Sequence, residues 1–344
     1  MLASDEKVLA AGSRHVHIRG LLRSGILACV LVACGSSSVP GVGDDDATLP
    51  PDSTVPPDAG TCGLRGGQRG YTARTASVGG LDRTYHVYLP EGALASTPLP
   101  LVVVHHGYTM SGDKMHDITD YTAIADAEGI ALAFPDGQGG ADTLGAPWNV
   151  GSNVCPTFAG IPPIATGDDF ALLDHIKADI AEDQCVDPEH VYATGFSMGG
   201  YFSHHIGCMR SDFRAVAPHS GGTHSLDNCT NARRPIIIFH GAADPLVPAG
   251  CNDPAAIPVL NVTPAADAWA TKNGCTLETM QRAVQGGTCF HYEGCPADGQ
   301  VELCTFTGMG HCWAGGNASA GIYSCPEKAS ATQLEWDFFK QYAW

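Results

Sequence analysis

Basic side chains are scarce in this 344-residue chain: 18 Lys and Arg stand against 36 Asp and Glu, for a formal charge of −18. Nucleic-acid affinity comes largely from cations that neutralise phosphates, so this balance excludes a DNA or RNA partner. An apolar run long enough to span a bilayer is also lacking. Gly25–Ala33 (GILACVLVA) is too short for ~30 Å of hydrocarbon. Paired CxxC motifs are absent, as is any internal repeat, which argues against zinc fingers and solenoids. No His/Glu/Cys spacing compels a metal, and no cofactor motif stands out. Charged residues make up only 16% against 44% hydrophobic, a ratio at odds with disorder and able to fill a large core. Cysteine is abundant instead. Fourteen of them point to an oxidising compartment.

The N-terminal region names the route there. Arg19 and Arg23 precede the Gly25–Ala33 run, the layout of an export signal. The run closes Leu31-Val32-Ala33-Cys34 before Gly35 and three serines, which resembles the bacterial lipobox, with Cys34 as the acylated mature N-terminus. An ordinary cleaved signal peptide with an incidental Cys34 is the other reading. Residues 35–60 are rich in Pro, Ser, Gly and Asp and hold no aromatic, so they form a tether; Asp44-Asp45-Asp46 lacks the glycine turn and later Glu of a calcium loop and belongs to that solvated spacer. The expected organisation is a signal over 1–33, a tether over 34–60 and one folded domain over 61–344, attached to a membrane only through the N-terminal lipid. Setting Cys29 and Cys34 aside leaves twelve cysteines, an even number suited to full pairing.

Strand and helix patterns alternate through that domain. Arg83–Leu89 alternates like an edge strand, whereas Leu101–His105 (LVVVH) is the continuous β-branched run of a strand buried on both faces. A helix is predicted over Met115–Glu128, a strand over Ile130–Phe134, and a helix over Asp169–Ala181. Strands follow at His190–Thr194, Ala215–Pro218 and Pro235–His240, then a helix at Ala265–Lys272, a strand at Val301–Phe306 and a closing helix over Glu335–Gln341. The implied fold is α/β, a mostly parallel central sheet covered by helices on both faces.

The strand His190–Thr194 runs into Gly195-Phe196-Ser197-Met198-Gly199-Gly200, a G-x-S-x-G sequence between a β-run and the helical stretch Tyr201–Cys208. Glycines two before and two after the serine permit a tight turn that leaves the Ser197 hydroxyl exposed. A serine needs a base for its proton, and the base needs an acid to hold its tautomer. Asp244 lies past the end of the Pro235–His240 strand and is the acid; a turn-forming Asp before Pro245 is the bland reading, and Asp253 is the fallback. His311, in the glycine-rich Gly308–Gly316 loop, is the base, with His291 as competitor. Backbone N–H groups of Met198 and of Tyr108, after the His105-His106-Gly107 strand end, would receive an oxyanion, although Gly107 could merely turn the chain. Trp148 and Trp313 are offered as walls of an aromatic acyl pocket, or as core.

Together with Arg83–Pro90, Pro100–Tyr108, Pro135-Asp136-Gly137, Cys185-Val186-Asp187, GFSMGG, HGAADPLVP and GHCWAGG, this domain resembles the secreted α/β-hydrolases grouped as polyhydroxybutyrate depolymerases and feruloyl esterases. The resemblance, over about Cys62 to Gly316, implies an α/β-hydrolase fold, Ser197, Asp244 and His311 as triad, and hydrolysis of carboxylic esters in plant-wall or polyester material. The family often carries a cysteine where this chain has Tyr108, and Thr-Trp-Pro-Gly where it has Cys312-Trp313-Ala314-Gly315. Cys312 then suggests a disulfide pinning the base loop, to Cys289 or Cys295 among other pairings, with Cys185 to Cys208 as another guess. A serine peptidase and a non-catalytic surface lipoprotein are the rival classes.

If Cys34 is acylated, the mature protein partitions into detergent and Cys34→Ser releases it to the soluble fraction. Each buried acyl methylene contributes ~0.8 kcal/mol, so several chains hold where one barely does. Mass spectrometry of the mature N-terminus checks this, and an unmodified terminus at another residue overturns it.

Overall fold

The computed structural model describes residues 62–138, 146–151, 167–223, 226–247 and 263–342. The export signal, Cys34, the tether and Asp253 lie outside the described residues. A ten-stranded sheet runs in the order β1 (Gly70–Val78), β2 (Leu81–Leu89), β4 (Ala131–Pro135), β3 (Leu99–His105), β5 (Val186–Phe196), β6 (Ala215–His219), β7 (Ile236–Gly241), β10 (Val301–Phe306), β9 (Gly287–Tyr292), β8 (Thr279–Val284). From β4 to β10 every neighbouring pair is parallel, and antiparallel strands close both edges.

Strand β3 shows why its sequence is apolar throughout. Leu101 and Val103 enter one core, Val102 and Val104 the other, because successive side chains leave opposite faces of a sheet. The first core is roofed by α3 (Asp169–Asp183), α4 (Met198–Met209) and α5 (Thr263–Asn273), the second by α1 (Gly112–Thr119), α2 (Tyr121–Glu128) and α6 (Ala331–Phe339). Among the described residues no helix is long and apolar enough to cross a membrane.

Three expectations need correction. Arg83–Leu89 is no edge strand: Gly79 and Gly80, both at positive φ, turn the chain tightly so that β1 covers β2 and takes the edge. The stretch Met115–Glu128 is two helices. Asp120 adopts φ +52° between them, and the freed Thr119 carbonyl accepts the Thr332 hydroxyl at 2.7 Å. The hairpin of β8 and β9 went unforeseen because β8 is exposed on both faces and carries no apolar alternation.

Glu335 on α6 is fully buried, 2.8 Å from the Thr194 hydroxyl, which also lies 2.7 Å from the Ala217 carbonyl. A hydroxyl has one hydrogen, and a carbonyl can only accept it. Thr194 cannot donate to both at once, and a protonated Glu335 that donates to Thr194 satisfies all three groups. Burial likewise drives the Glu335 carboxyl well above its usual range. Because the folded state binds this proton more tightly than the unfolded chain, stability falls as pH rises from the unfolded value of about 4.3. Glu335→Gln keeps a donor for Thr194 and should raise Tm at pH 8, with the gain shrinking toward pH 4. Thermal melts across pH check this, and a gain independent of pH refutes the protonated acid.

Candidate active site

Parallel strands present their C-terminal ends along one edge of the sheet, the usual place for a site in this architecture. Tyr108 follows β3, Ser197 follows β5, Asp244 follows β7 and His311 follows β10, on strands adjacent except for the intervening β6.

Ser197 sits between β5 and α4 at φ +55°, ψ −115°, a conformation rare for any residue with a Cβ. Its N–H donates to the His219 carbonyl at 2.9 Å and its carbonyl accepts from Tyr201 at 3.0 Å, so the strain is held from both sides. The flanking glycines are sterically required. A Cβ on Gly195 would meet the Gly199 carbonyl oxygen at 2.5 Å, and one on Gly199 would meet the His105 carbonyl oxygen at 2.2 Å.

Asp244 and His311 meet directly. His311 Nδ1 donates to Asp244 Oδ2 at 2.7 Å, and Asp244 Oδ1 accepts the N–H groups of Leu246 at 2.8 Å and Val247 at 3.1 Å. Both readings of this aspartate are thus realised in one side chain, a turn former through one oxygen and an imidazole holder through the other. Burial favours protonation of Asp244, but the His311 hydrogen bond and the neighbouring histidines outweigh it and hold the carboxyl below its usual range. With its Nδ1 hydrogen committed, His311 keeps Nε2 as the free base nitrogen. The two loops are laced by backbone as well: Ala243 N–H donates to the Met309 carbonyl at 2.9 Å, and Gly241 is packed too tightly against Met309 and Gly310 to bear a side chain. The ring of Phe196, next in sequence to Ser197, lies 4.7 Å from that of His311. His291, the competing base, pairs with Glu302 at the opposite end of β10.

Met198 opens α4, where its N–H has no acceptor within the helix. Gly107 crosses close over the serine: a Cβ there would stand 3.1 Å from Ser197 Cβ and 2.9 Å from Met110 Sδ. The turn is closed by Met110 N–H on the Gly107 carbonyl and by Thr109 at φ +66°, and the Tyr108 N–H follows directly. His106 clamps this turn. Its Nδ1 donates to the Gly107 carbonyl at 2.7 Å and its Nε2 accepts the Gly137 N–H at 2.8 Å, while burial keeps the ring neutral. The Pro135-Asp136-Gly137 segment thereby acquires a purpose, since Asp136 also receives the Gly112 N–H and the Thr84 hydroxyl.

The structure buries both tryptophans. Trp148 is fully buried, stacked 5.1 Å from Phe202, with its Nε1 donating to the His106 carbonyl. Trp313 is also fully buried, stacked 4.6 Å from His219 and donating to Thr332. Both are core residues that brace the loops above them. His106 and His219 were missed in the sequence. The available signal was a histidine at the end of an otherwise apolar strand, where a buried ring needs two partners.

The cysteine pairings differ from those guessed: Cys62 joins Cys185, Cys208 joins Cys229, Cys275 joins Cys295, Cys289 joins Cys304, and Cys312 joins Cys325. Cys289 and Cys295 were unavailable to Cys312 because each closes a bond within its own neighbourhood around β9. Cys325 reaches Cys312 through the small parallel ladder of β11 (Trp313–Ala314) and β12 (Ser324–Cys325).

A hydroxyl on a strained turn, an imidazole oriented by a buried carboxylate and two backbone donors are the parts that acyl transfer requires. Residues 83–247 match a family model described as "Esterase PHB depolymerase". The chain is 30% identical over 268 residues to feruloyl esterase B of Piromyces equi, covering 75% of this chain and 45% of that one. It is equally 30% identical over 268 residues to the putative esterase NocK of Nocardia uniformis subsp. tsuyamanensis, covering 71% of this chain and 74% of its relative. The chain therefore spans less than half of the Piromyces protein. The acetyl xylan esterase structure from Aspergillus awamori superposes with a TM-score of 0.54 at 13% identity, covering 78% of this chain and 99% of that one, and shares the α/β-hydrolase fold.

The Cys312–Cys325 bond closes a segment of 13 residues one position from His311. A loop of about that size contributes ~3 kcal/mol in the chain-entropy model, and a glycine-rich loop needs such a restraint. Cys312→Ser should lower both Tm and turnover while Ser197 still reacts with a fluorophosphonate, only more slowly. Unchanged turnover would show that the backbone lacing alone orders the loop.

Proposed function

Because this chain belongs to the polyhydroxybutyrate depolymerase and feruloyl esterase family of α/β-hydrolases, we propose that it hydrolyses carboxylic esters through an acyl-enzyme on Ser197. The observation that carries the proposal is the 2.7 Å hydrogen bond from His311 to buried Asp244, beside the strained serine turn. His311 Nε2 takes the Ser197 proton as the hydroxyl attacks the ester carbonyl. The tetrahedral oxyanion is received by the N–H groups of Met198 and Tyr108, each worth a few kcal/mol. His311 then returns the proton to the departing alcohol, and a water attacks the acyl-serine by the same route in reverse. Asp244 stays ionised throughout and stabilises the imidazolium; its depressed carboxyl suits that duty.

The substrate class we favour is a feruloyl or acetyl ester of plant-wall polysaccharide, supported by the names of the relatives, among them a bifunctional acetylxylan esterase/xylanase of Neocallimastix patriciarum. A polyester substrate is the second reading, favoured by the description of the matching family model. Export, with attachment to the cell envelope through a lipid on Cys34, completes the proposal and rests on the N-terminal sequence alone.

Ser197→Ala should leave a folded protein whose turnover falls by about three to six orders of magnitude, and His311→Ala should follow it closely, whereas Asp244→Ala loses less. For the wild type, kcat/KM should fall on the acid side, because a protonated imidazole cannot accept the serine proton. Comparison of methyl ferulate, p-nitrophenyl acetate, acetylated xylan, polyhydroxybutyrate and a peptide amide tests the substrate class. Turnover of the amide alone, or of none, would sink the ester proposal.

A further inference from the structure

His219 ends β6, the strand that separates the serine strand from the aspartate strand, and has no part in the proton path described above. It nevertheless touches both sides of the site. Its main-chain carbonyl accepts the Ser197 N–H at 2.9 Å, and its ring Nε2 accepts the Ala314 N–H at 3.0 Å, in the segment that carries His311. The ring is sandwiched between Trp313, with centroids 4.6 Å apart, and Phe239, at 5.7 Å, both nearly parallel to it.

The bonding fixes the tautomer. An Nε2 that accepts leaves the hydrogen on Nδ1, which points to Ser220 Oγ at 3.1 Å. Ser220 itself stands at φ +49°, a strained position for a serine, and its N–H is tied to the Phe239 carbonyl. The turn after His219 is wedged against the start of α4, where a Cβ on Gly221 would meet the Gly200 carbonyl carbon at 2.4 Å. The titratable groups around the ring are His240, His311 and Asp244; burial first, then the two imidazoles, keep His219 neutral. A neutral ring is what an Nε2 acceptor requires.

We propose that His219 is a positioning residue that couples the Ser197 turn to the His311 loop, setting the distance between nucleophile and base through one residue's carbonyl and ring. The proposal rests on Ser197 and His311 acting as the nucleophile and base. In the sequence the histidine stands in Pro218-His219-Ser220-Gly221-Gly222, and the only ring nitrogen free to accept lies where the base loop offers a buried N–H.

His219→Phe preserves the stacking and removes the acceptor, leaving the Ala314 N–H buried without a partner. Turnover should fall about 10- to 100-fold, from loss of one such bond at the reacting geometry. KM should stay within about twofold, since no substrate contact is removed. His219→Gln places a carbonyl oxygen near the former Nε2 and should restore most of the turnover. Should the Phe variant fail to fold, His219→Asn, one methylene too short to reach Ala314, is set against Gln in its place. Equal activities for the acceptor-bearing and acceptor-lacking variants, or a loss that falls on KM and leaves kcat unchanged, overturn the coupling role. Ser197→Ala, measured alongside, separates the two levels: activity surviving that change overturns the catalytic assignment itself, whereas a dead Ser197→Ala with an unaffected His219→Phe overturns only the coupling.

Discussion

The close approach of α4 to the end of β3 is the constraint on which the rest of the site depends. Gly199 lies so near His105 and His106 that no side chain fits between helix and strand. That contact seats the first turn of α4 directly over the sheet, forces Ser197 into its strained conformation and brings the Gly107 turn across the serine. Had the helix stood off by the width of a methyl group, the Gly107 turn would no longer cross so closely over the serine. Strain of this kind persists only where the surroundings over-determine it, and here the Ser197 N–H and carbonyl are both taken up by neighbours.

Positioning of His311, the proposed base, follows a different logic. The His311 loop is rich in glycine and would be entropically expensive to order through side-chain packing. Beside the buried Met309 and Trp313 side chains, discrete bonds hold it: the Asp244 carboxylate, the Ala243 N–H on Met309, the Cys312–Cys325 bridge and the Ala314 N–H on His219. On α1 the Lys114 ammonium donates to the Ala320 carbonyl and the Ile118 carbonyl accepts the Asn317 N–H, extending the same pattern. Buried histidines suit this work because a neutral imidazole offers one donor and one acceptor at fixed separation. His106 and His219 each bond the next residue through Nδ1 and accept an N–H from a distant loop at Nε2, which ties that loop to their own turn.

Much of this was legible in the chain itself. The parallel strands announced themselves as apolar runs because both faces of the sheet are covered, and G-x-S-x-G announced the serine turn because only glycine tolerates the backbone contacts at Gly195 and Gly199. The order of Ser197, Asp244 and His311 could be read because each follows a recognisable strand. Local patterns determine local elements, and a parallel sheet places its loops in a known direction.

Tertiary structure alone decided the rest. That Cys312 bonds Cys325, that Asp120 breaks a continuous helical pattern, that Trp148 and Trp313 face the core, and that Glu335 keeps a proton beside Thr194 all depend on which distant segments meet. The hydrogen bonds of His106 and His219 are of the same kind. A histidine at a strand end carries the same letters whether its ring reaches solvent or a buried N–H, and only the packed chain supplies the partner that chooses between them.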